Sequence, residues 1–398
     1  MENICIKKIR INNSKYFSIK GSVNLSTKCL EFNMSFEKFK EIFKIDIHEV
    51  AFNPELMPQY SIVNIIDNNN NKYSFFDCIF GFSISNQLIK LYSKKLNYFY
   101  IGKISKSKDI SVNEICFETK VENKGHLIAS INKIEFDYLK NIIVSINPYV
   151  HNNDIFINIF CKSKRAIKYS ILSDYNFLVL EMIFLFWGIM PNILKIKLNK
   201  GNSNFCLVQQ TADKYICKKT DYNGEILNEI NSKIINEKAL KKFHLFRKKS
   251  KIFFDMLMII MNDTGYIEIK NSMIIQLLEG LYKTIGPNKK DIKLREILEY
   301  YYIDNKKTNL ILDSIDKANN NVFITKAVNH RNYLSHLNVL KNRNVFVELE
   351  NNYAFWKLSI CARIFILQSL LIEIDEKKLN DLLVRIKNWS IKNNINLK

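Results

Sequence analysis

Glycine is scarce in this chain, ten residues in 398, and none is set in a GxGxxG fingerprint or a GxxxxGK[ST] loop. Those motifs need glycine where backbone must approach phosphate closely, so dinucleotide-binding and P-loop chemistry are set aside. Neither an HExxH pair nor a GxSxG elbow occurs, which removes two common hydrolase designs. The eight cysteines (Cys5, Cys29, Cys78, Cys116, Cys161, Cys206, Cys217, Cys361) form no CxxC pair and no cluster. That spacing suits neither a zinc site nor a disulfide framework, and free thiols in a reducing cytoplasm are expected. No apolar run approaches the roughly 20 residues of a bilayer span. The most apolar stretch, Phe177 to Met190, is 14 residues long, contains Glu181 and stops at Pro191, as a buried core helix would. Met1 to Lys8 holds no stretch long enough for a signal peptide. A soluble, cytoplasmic protein without a membrane span is expected.

What is present is a well-cored chain, 47% hydrophobic and 12% aromatic, long enough for two domains. The net charge of +20 points toward a polyanion such as nucleic acid. Only eight of the 59 basic residues are arginine. With the abundant Asn and Ile, this lysine bias reads as AT-rich codon usage and accounts for part of the charge.

Two patterns divide the sequence, and an α+β protein is expected. The first half reads as short β-branched and aromatic runs: Ile9 to Asn12, Tyr16 to Val23, Ser61 to Ile66, Lys72 to Phe80, Tyr98 to Ile104, Glu114 to Val121, His126 to Ile134 and Asp154 to Lys162. Polar turn-formers separate them, most plainly Asp67 to Asn71, and Ser35 to Ile45 reads as a helix. Aromatic residues are dense here (Tyr73, Phe75, Phe76, Phe80, Phe82, Tyr92, Tyr98, Phe99, Tyr100), either as core packing or as a stacking platform for bases. A helix over Ser173 to Gly188 and a hairpin of Ile193 to Leu198 with Asn204 to Gln209 follow. Past the polar stretch Thr211 to Asn231, helical periodicity takes over: Asn236 to Met261, Ser272 to Ile285 closed by Gly286-Pro287, Asp291 to Tyr302, Leu310 to Ile315, Val322 to Leu340, Tyr353 to Ile374 and Glu376 to Lys392. The expected boundary near residue 235 gives a β-rich domain (1–235) and a helical domain (236–398).

One segment in the helical part gathers chemistry: Asn329-His330-Arg331-Asn332-Tyr333-Leu334-Ser335-His336. Metal-free RNA cleavage needs a base for the 2′-hydroxyl proton, an acid for the leaving 5′-oxygen and a cation for the phosphoryl charge. Histidine can move protons near neutral pH, and arginine can grip a phosphate with two parallel hydrogen bonds. Asn332 could orient either group. At about 100° per residue, positions five apart lie some 140° apart on a regular helix. Arg331 and His336 would therefore converge only at a helix end, at a distortion, or across two subunits. By spacing alone a plainer reading stands beside this one, with Arg331 paired to a carboxylate and His336 closing a helix. Glu279, in the apolar helix Ile274 to Gly286, is the obvious carboxylate. His330 reads as a polar contact rather than a catalyst, and Tyr333 as a lining or packing residue. Lys241-Lys242 and Arg247-Lys248-Lys249 read as a solvated face, or as a guide for RNA by charge.

The segment VNHRNYLSH resembles the Arg-polar-His motif of the HEPN superfamily, with Arg331, Asn332 and His336 in the motif positions. It departs at Leu337, where many relatives carry a small residue such as Gly. Upstream, IIQLLEGLYKTIG resembles the first core helix of that domain, with its Leu-Glu pair at Leu278-Glu279. KYSFFDCIFGFSIS (72–85), YFYIG (98–102) and VLEMIFLFWGIMPNILKIKL (179–198) more loosely resemble the N-terminal domain of ApeA-type anti-phage proteins. The resemblance implies an endoribonuclease that acts without metal or cofactor and leaves a 2′,3′-cyclic phosphate and a 5′-hydroxyl. It implies catalytic roles for Arg331, His336 and Asn332, with Glu279, His330 and Tyr333 as supporting candidates. It also implies a homodimer through the helical domain, RNA (tRNA among the candidates) as substrate, and a phage-derived trigger in abortive infection. The other reading of the same likeness is a HEPN-like bundle that binds RNA or dimerises without catalysing anything.

Overall fold

The computed structural model describes residues 3–395 apart from residues 13, 25–28, 53–60, 86–87, 94–97, 102–109, 122–132, 139–140, 153, 201–202, 210–226, 228–229, 263–264, 288–291, 305–319 and 337–343. It is α+β: the N-terminal region is rich in antiparallel strands, and the chain is helical from about 237 to 392. By compactness it divides into two units, Met1–Glu118 with Phe160–Asp174 and Leu194–Thr211, and Thr119–Ile159 with Tyr175–Ile193 and Ala212–Lys398. Composition changes near residue 235, whereas compactness places 119–159 and 175–193 in the same unit as the helices.

The strands are β1 (Asn3–Ile11), β2 (Phe17–Ser18), β3 (Gly21–Asn24), β4 (Cys29–Ser35), β5 (Ser61–Asp67), β6 (Lys72–Cys78), β7 (Gly81–Ser85), β8 (Leu88–Ser93), β9 (Tyr98–Ile101), β10 (Ser111–Val121), β11 (Ile134–Tyr138), β12 (Ile142–His151), β13 (Asp154–Lys168), β14 (Asn192–Lys200) and β15 (Ser203–Gln209). In the first unit ten of them are joined in the order β14-β15-β9-β6-β5-β1-β3-β4-β8-β7. Alternation explains the burial. Leu30, Phe32 and Met34 of β4 point inward, and Phe32 and Met34 lie opposite Leu91 and Ile89 of β8. Gly21 faces Phe32 across the β3–β4 ladder, where a Cβ would come within 2.6 Å of Phe32 Cβ, so no larger residue fits that crossing. The stretch Tyr16 to Val23, expected as one strand, is two: β2 pairs with the far end of β1 (Lys8, Ile9), and β3 with its start (Asn3 to Cys5).

The Asn-rich turn is where the sequence places it. Asp67 Oδ1 accepts from the backbone of Asn69 (2.9 Å) and Asn71 (2.7 Å), and Asn70 takes φ 62° between β5 and β6. Helix α1 (Phe36–Phe43) starts at Ser35, whose hydroxyl accepts from Lys38 N–H, and ends at Lys44 in the left-handed region. A short α2 (Ile47–Phe52), which periodicity does not reveal, follows. Tyr73, Phe75, Phe76 and Phe80 are buried, so these rings build core rather than a base-stacking platform. The side chains of Tyr98, Phe99 and Tyr100 lie outside the described residues, as does most of the expected strand 126–134.

Helix α3 (Tyr169–Trp187) is long and apolar enough to cross a membrane by length and composition, but 72% of its most apolar window is buried inside the protein. It is followed by α4 (Glu237–Asn262), α5 (Ile267–Ile285), α6 (Leu294–Glu299) running into a π-turn (Tyr300–Asp304), α7 (Asn320–His336), α8 (Glu348–Ser369) and α9 (Glu376–Lys392). The expected helix 310–315 lies outside the described residues. Helix α8 is buried on nearly every side from Asn351 to Leu367, the signature of a central helix. It packs on α5, which buries Ile274, Ile275, Leu277, Leu278 and Leu281. The six cysteines with described side chains (Cys5, Cys29, Cys78, Cys116, Cys161, Cys361) are free thiols.

The carboxylate inside the apolar stretch has its cation. Glu181, fully buried, lies 2.9 Å from Arg247 Nε. Arg247 is therefore a structural partner and not part of a solvated face, whereas Lys248 and Lys249 are exposed. Arg247→Ala should lower stability by about 3–5 kcal/mol, because it removes the guanidinium from a carboxylate that stays buried. Arg247→Leu with Glu181→Leu should recover most of that loss in urea midpoints. A double variant as unstable as the single one would contradict this.

Candidate functional site

The chemistry-bearing segment lies on the last turns of α7. This helix buries Phe323, Ile324, Lys326, Ala327 and His330, positions three and four apart that form one inward stripe. Three polar contacts anchor the stripe. Lys326 Nζ lies 2.8 Å from Glu350 Oε1 and 3.0 Å from Oε2, joining α7 to the start of α8. Glu350 also accepts from Val347 N–H, and so caps its own helix. Asn329 donates to Asn344 O at 3.3 Å.

His330 is 2% exposed, with Nε2 2.9 Å from Glu268 O at the start of α5. A carbonyl only accepts, so Nε2 carries the proton. Nδ1 has no partner among the described residues, and the ring lies 5.5 Å from that of Phe346. Burial pushes the imidazole below its ordinary value near 6.5, outweighing the Glu268 carbonyl and carboxylate, which act the other way. His330 is a neutral strut between α7 and α5, in line with its reading as a polar contact.

That strut has a pH signature. As pH falls, the unfolded chain takes up this proton before the folded one does. The stabilisation is therefore complete above about 6.5 and is lost as pH falls below that value toward the depressed folded one. The slope is at most about 1.4 kcal/mol per pH unit. His330→Gln keeps a donor for Glu268 O and does not titrate. Urea unfolding at pH 7.5 and 5.5 should show the wild type losing more stability than this variant, and equal losses would contradict the assignment.

Arg331 turns to the edge of the stripe. Its Nη2 lies 3.6 Å from Glu279 Oε2 on α5, and its Nη1 donates to Asn332 Oδ1 at 3.2 Å. Glu279 also takes Lys283 Nζ at 2.9 Å. The carboxylate thus sits between two cations, and its expected partnership with Arg331 is present. The two side chains are 28% and 22% exposed, and a loose, wetted pair of this kind contributes about 1 kcal/mol or less. Arg331 Nε has no acceptor among the described residues. That atom is buried, so the donors an incoming anion can reach are those of the terminal nitrogens, held only by Asn332 and, at 3.6 Å, by Glu279. Asn332 and Tyr333 are exposed on the outward side of α7.

His336 is the last residue of α7; its side chain, that of Ser335 and residues 337–343 lie outside the described residues. One unbroken helix carries both Arg331 and His336. Their Cα positions are therefore about 140° apart around the axis and about 7.5 Å apart along it. Within one chain the helix does not bring these two positions to a common side. A cleft of about 470 Å³ lies elsewhere, between the start of α4 and the α8–α9 turn, and none of the motif residues lines it. No group of three or more His, Cys, Asp or Glu side chains able to hold a metal ion occurs among the described residues.

Sequence reasoning passed over three buried cations. Besides Lys326 these are Lys357, enclosed by the rings of Phe323 (4.5 Å), Tyr302 (5.6 Å) and Tyr353 (5.9 Å), and Arg363. The available signal was their setting: Lys326 falls four residues before His330 on the same stripe, and Arg363 interrupts an apolar run (Ile360 to Leu367). In comparisons with known proteins, no family model, no curated protein and no solved structure matches this chain.

Proposed function

We propose that this protein is a metal-independent endoribonuclease of the HEPN type, acting in the cytoplasm in anti-phage abortive infection. The observation that carries the reading is the setting of Arg331. It is presented at the rim of α7, held only loosely by Glu279, and set beside exposed Asn332. A phosphate can displace so weak a partner and take the fork of donors. In the reaction, the 2′-hydroxyl loses its proton to a base and its oxygen attacks phosphorus. The P–O5′ bond breaks, and the 5′-oxygen leaves with a proton from an acid. His336 serves as the acid or base, Arg331 stabilises the phosphoryl charge, and Asn332 supports them, giving a 2′,3′-cyclic phosphate and a 5′-hydroxyl. Tyr333 lines the approach.

Arg331 and His336 start about 140° apart around one helix, and a second copy, through the helical region, completes the site. RNA, with tRNA among the candidates, is the substrate. The strand-rich N-terminal part restrains the nuclease or senses a phage-derived trigger.

A second reading has its own support. The Glu279–Arg331 pair suits a HEPN-like bundle that binds RNA or dimerises without cutting it. Cleavage of total RNA in EDTA by wild type, Arg331→Ala and His336→Ala separates the two. Binding without cutting, with and without phage lysate, would favour the second.

A further inference from the structure

Helix α4 carries apolar residues on its outside as well as its inside. Its inward residues include Leu240, Phe243, Phe254, Leu257, Met258 and Met261, all buried. Yet Leu245 is 59% exposed, Ile252 73% and Ile259 49%, and Tyr266, at the head of α5, is 79% exposed. These four follow one another at intervals of seven residues. Ile252 and Ile259 lie two turns apart on one side of a continuous helical stretch. Leu245 lies two turns earlier, across the bend made by the non-helical backbone of Ser250 (φ −128°, ψ 26°). An exposed apolar row of this kind marks a docking surface.

Charge says what docks there. Between Lys238 and Lys251 the helix holds seven cations; Arg247 is taken by buried Glu181 and Lys241 pairs with Glu237, which leaves Lys238, Lys242, Lys248, Lys249 and Lys251. From Ile252 to Ile267 there is no lysine or arginine, and Asp255 lies within that stretch. One end is strongly basic and the other weakly acidic, with the apolar row running through both. A parallel copy would set the cations against each other. An antiparallel copy lays the basic half on the half that lacks them, which is favourable at both ends of a two-fold interface.

We propose that α4 is a self-association surface on which a second copy of this chain packs its own α4 antiparallel, with the two Ile252 side chains on the two-fold axis. Centring on Ile252 sets Leu245 against the partner's Ile259 and Lys249 against the partner's Asp255. The interface is a surface for self-association. It rests on exposure and charge alone, and stands whether or not the protein cuts RNA.

Sedimentation velocity of the full chain tests it. The expected species has twice the 47.0 kDa chain mass and weakens as salt rises. Ile252→Glu puts two carboxylates on the axis and should weaken the dimer about a hundredfold. Ile252 is exposed, so the variant should keep its circular-dichroism melt. Lys249→Glu should weaken the dimer, and Lys249→Glu with Asp255→Lys should restore it. Under mild oxidant, Ile252→Cys should cross-link two chains beyond the wild-type background. Leu245→Cys should not, since its copies would stand about 21 Å apart. A wild type that stays monomeric at tens of micromolar overturns the proposal, as does a dimer that survives Ile252→Glu. A monomer that sediments with anionic vesicles through Ile252 would make the row membrane-facing and would also overturn it. A dimer lost in Ile252→Glu, from a protein that cuts no RNA, leaves this interface standing and removes the nuclease reading.

Discussion

Purified protein incubated with total RNA in EDTA is expected to cut it, and Arg331→Ala and His336→Ala are each expected to slow the cutting by about 10²-fold or more. The magnitude follows from the roles. Removing a positioned acid or base costs about 10² to 10⁴ in rate, and removing a donor aimed at developing charge about 10² to 10³. Because Glu279 holds Arg331 only loosely, Arg331→Ala should change stability by about 1 kcal/mol or less, so a large rate loss would not reflect unfolding. Arg331→Lys keeps the charge and loses the planar fork, and should fall between wild type and Arg331→Ala. The fragments should carry 2′,3′-cyclic phosphate, read by their resistance to ligation until the ring is opened. Equal cutting by all variants would place the activity elsewhere or in a contaminant, and the site assignment would fail.

A second large effect on folding is expected at Arg363, which is fully buried on α8. Its Nε donates to Leu185 O and its Nη2 to Phe186 O, both at 2.9 Å, where α3 ends. The last carbonyls of a helix have no partner within it, and a cation there also meets the negative end of the helix dipole. The chain completes that cap with Gly188, at φ 70°, donating to Phe184 O, and Leu227 donating to Phe186 O, both at 2.7 Å. Arg363→Leu strips charged donors from buried carbonyls. It should cost about 3 kcal/mol, a fall of about 6–12 °C in the melting midpoint for a unit of this size.

Gly188 belongs to the same cap. A Cβ there would lie 2.7 Å from Arg363 Nη1 on a backbone already in the left-handed region. Gly188→Ala should therefore destabilise through strain and through displacement of the guanidinium. In an Arg363→Leu background the second cost is gone, so the two losses should sum to less than the separate values. Additive losses in a thermal-melt cycle would show that Arg363 does not depend on Gly188 for its place.

By itself the sequence determined the class of most elements, because burial follows period. β-Branched and aromatic runs marked β5 and β6, the Asp67–Asn71 run marked their turn, and three-to-four spacing marked α4, α5, α8 and α9. It also identified Glu279 as the carboxylate for Arg331, since an acid in an apolar helix requires a nearby cation. It named Arg331, Asn332 and His336 as candidates because few residue types can move protons and grip phosphate. What it did not contain were the partners that distance in the chain conceals. Tertiary structure alone matched Glu181 with Arg247, Lys326 with Glu350, His330 with the Glu268 carbonyl, and Arg363 with the end of α3 some 180 residues earlier. It split the expected strand 16–23 by pairing β2 and β3 with opposite ends of β1. It also left Leu245, Ile252 and Ile259 facing outward. Periodicity reports that a residue is apolar; only packing decides which apolar side a helix turns to its neighbours, because several helices compete for the same interior.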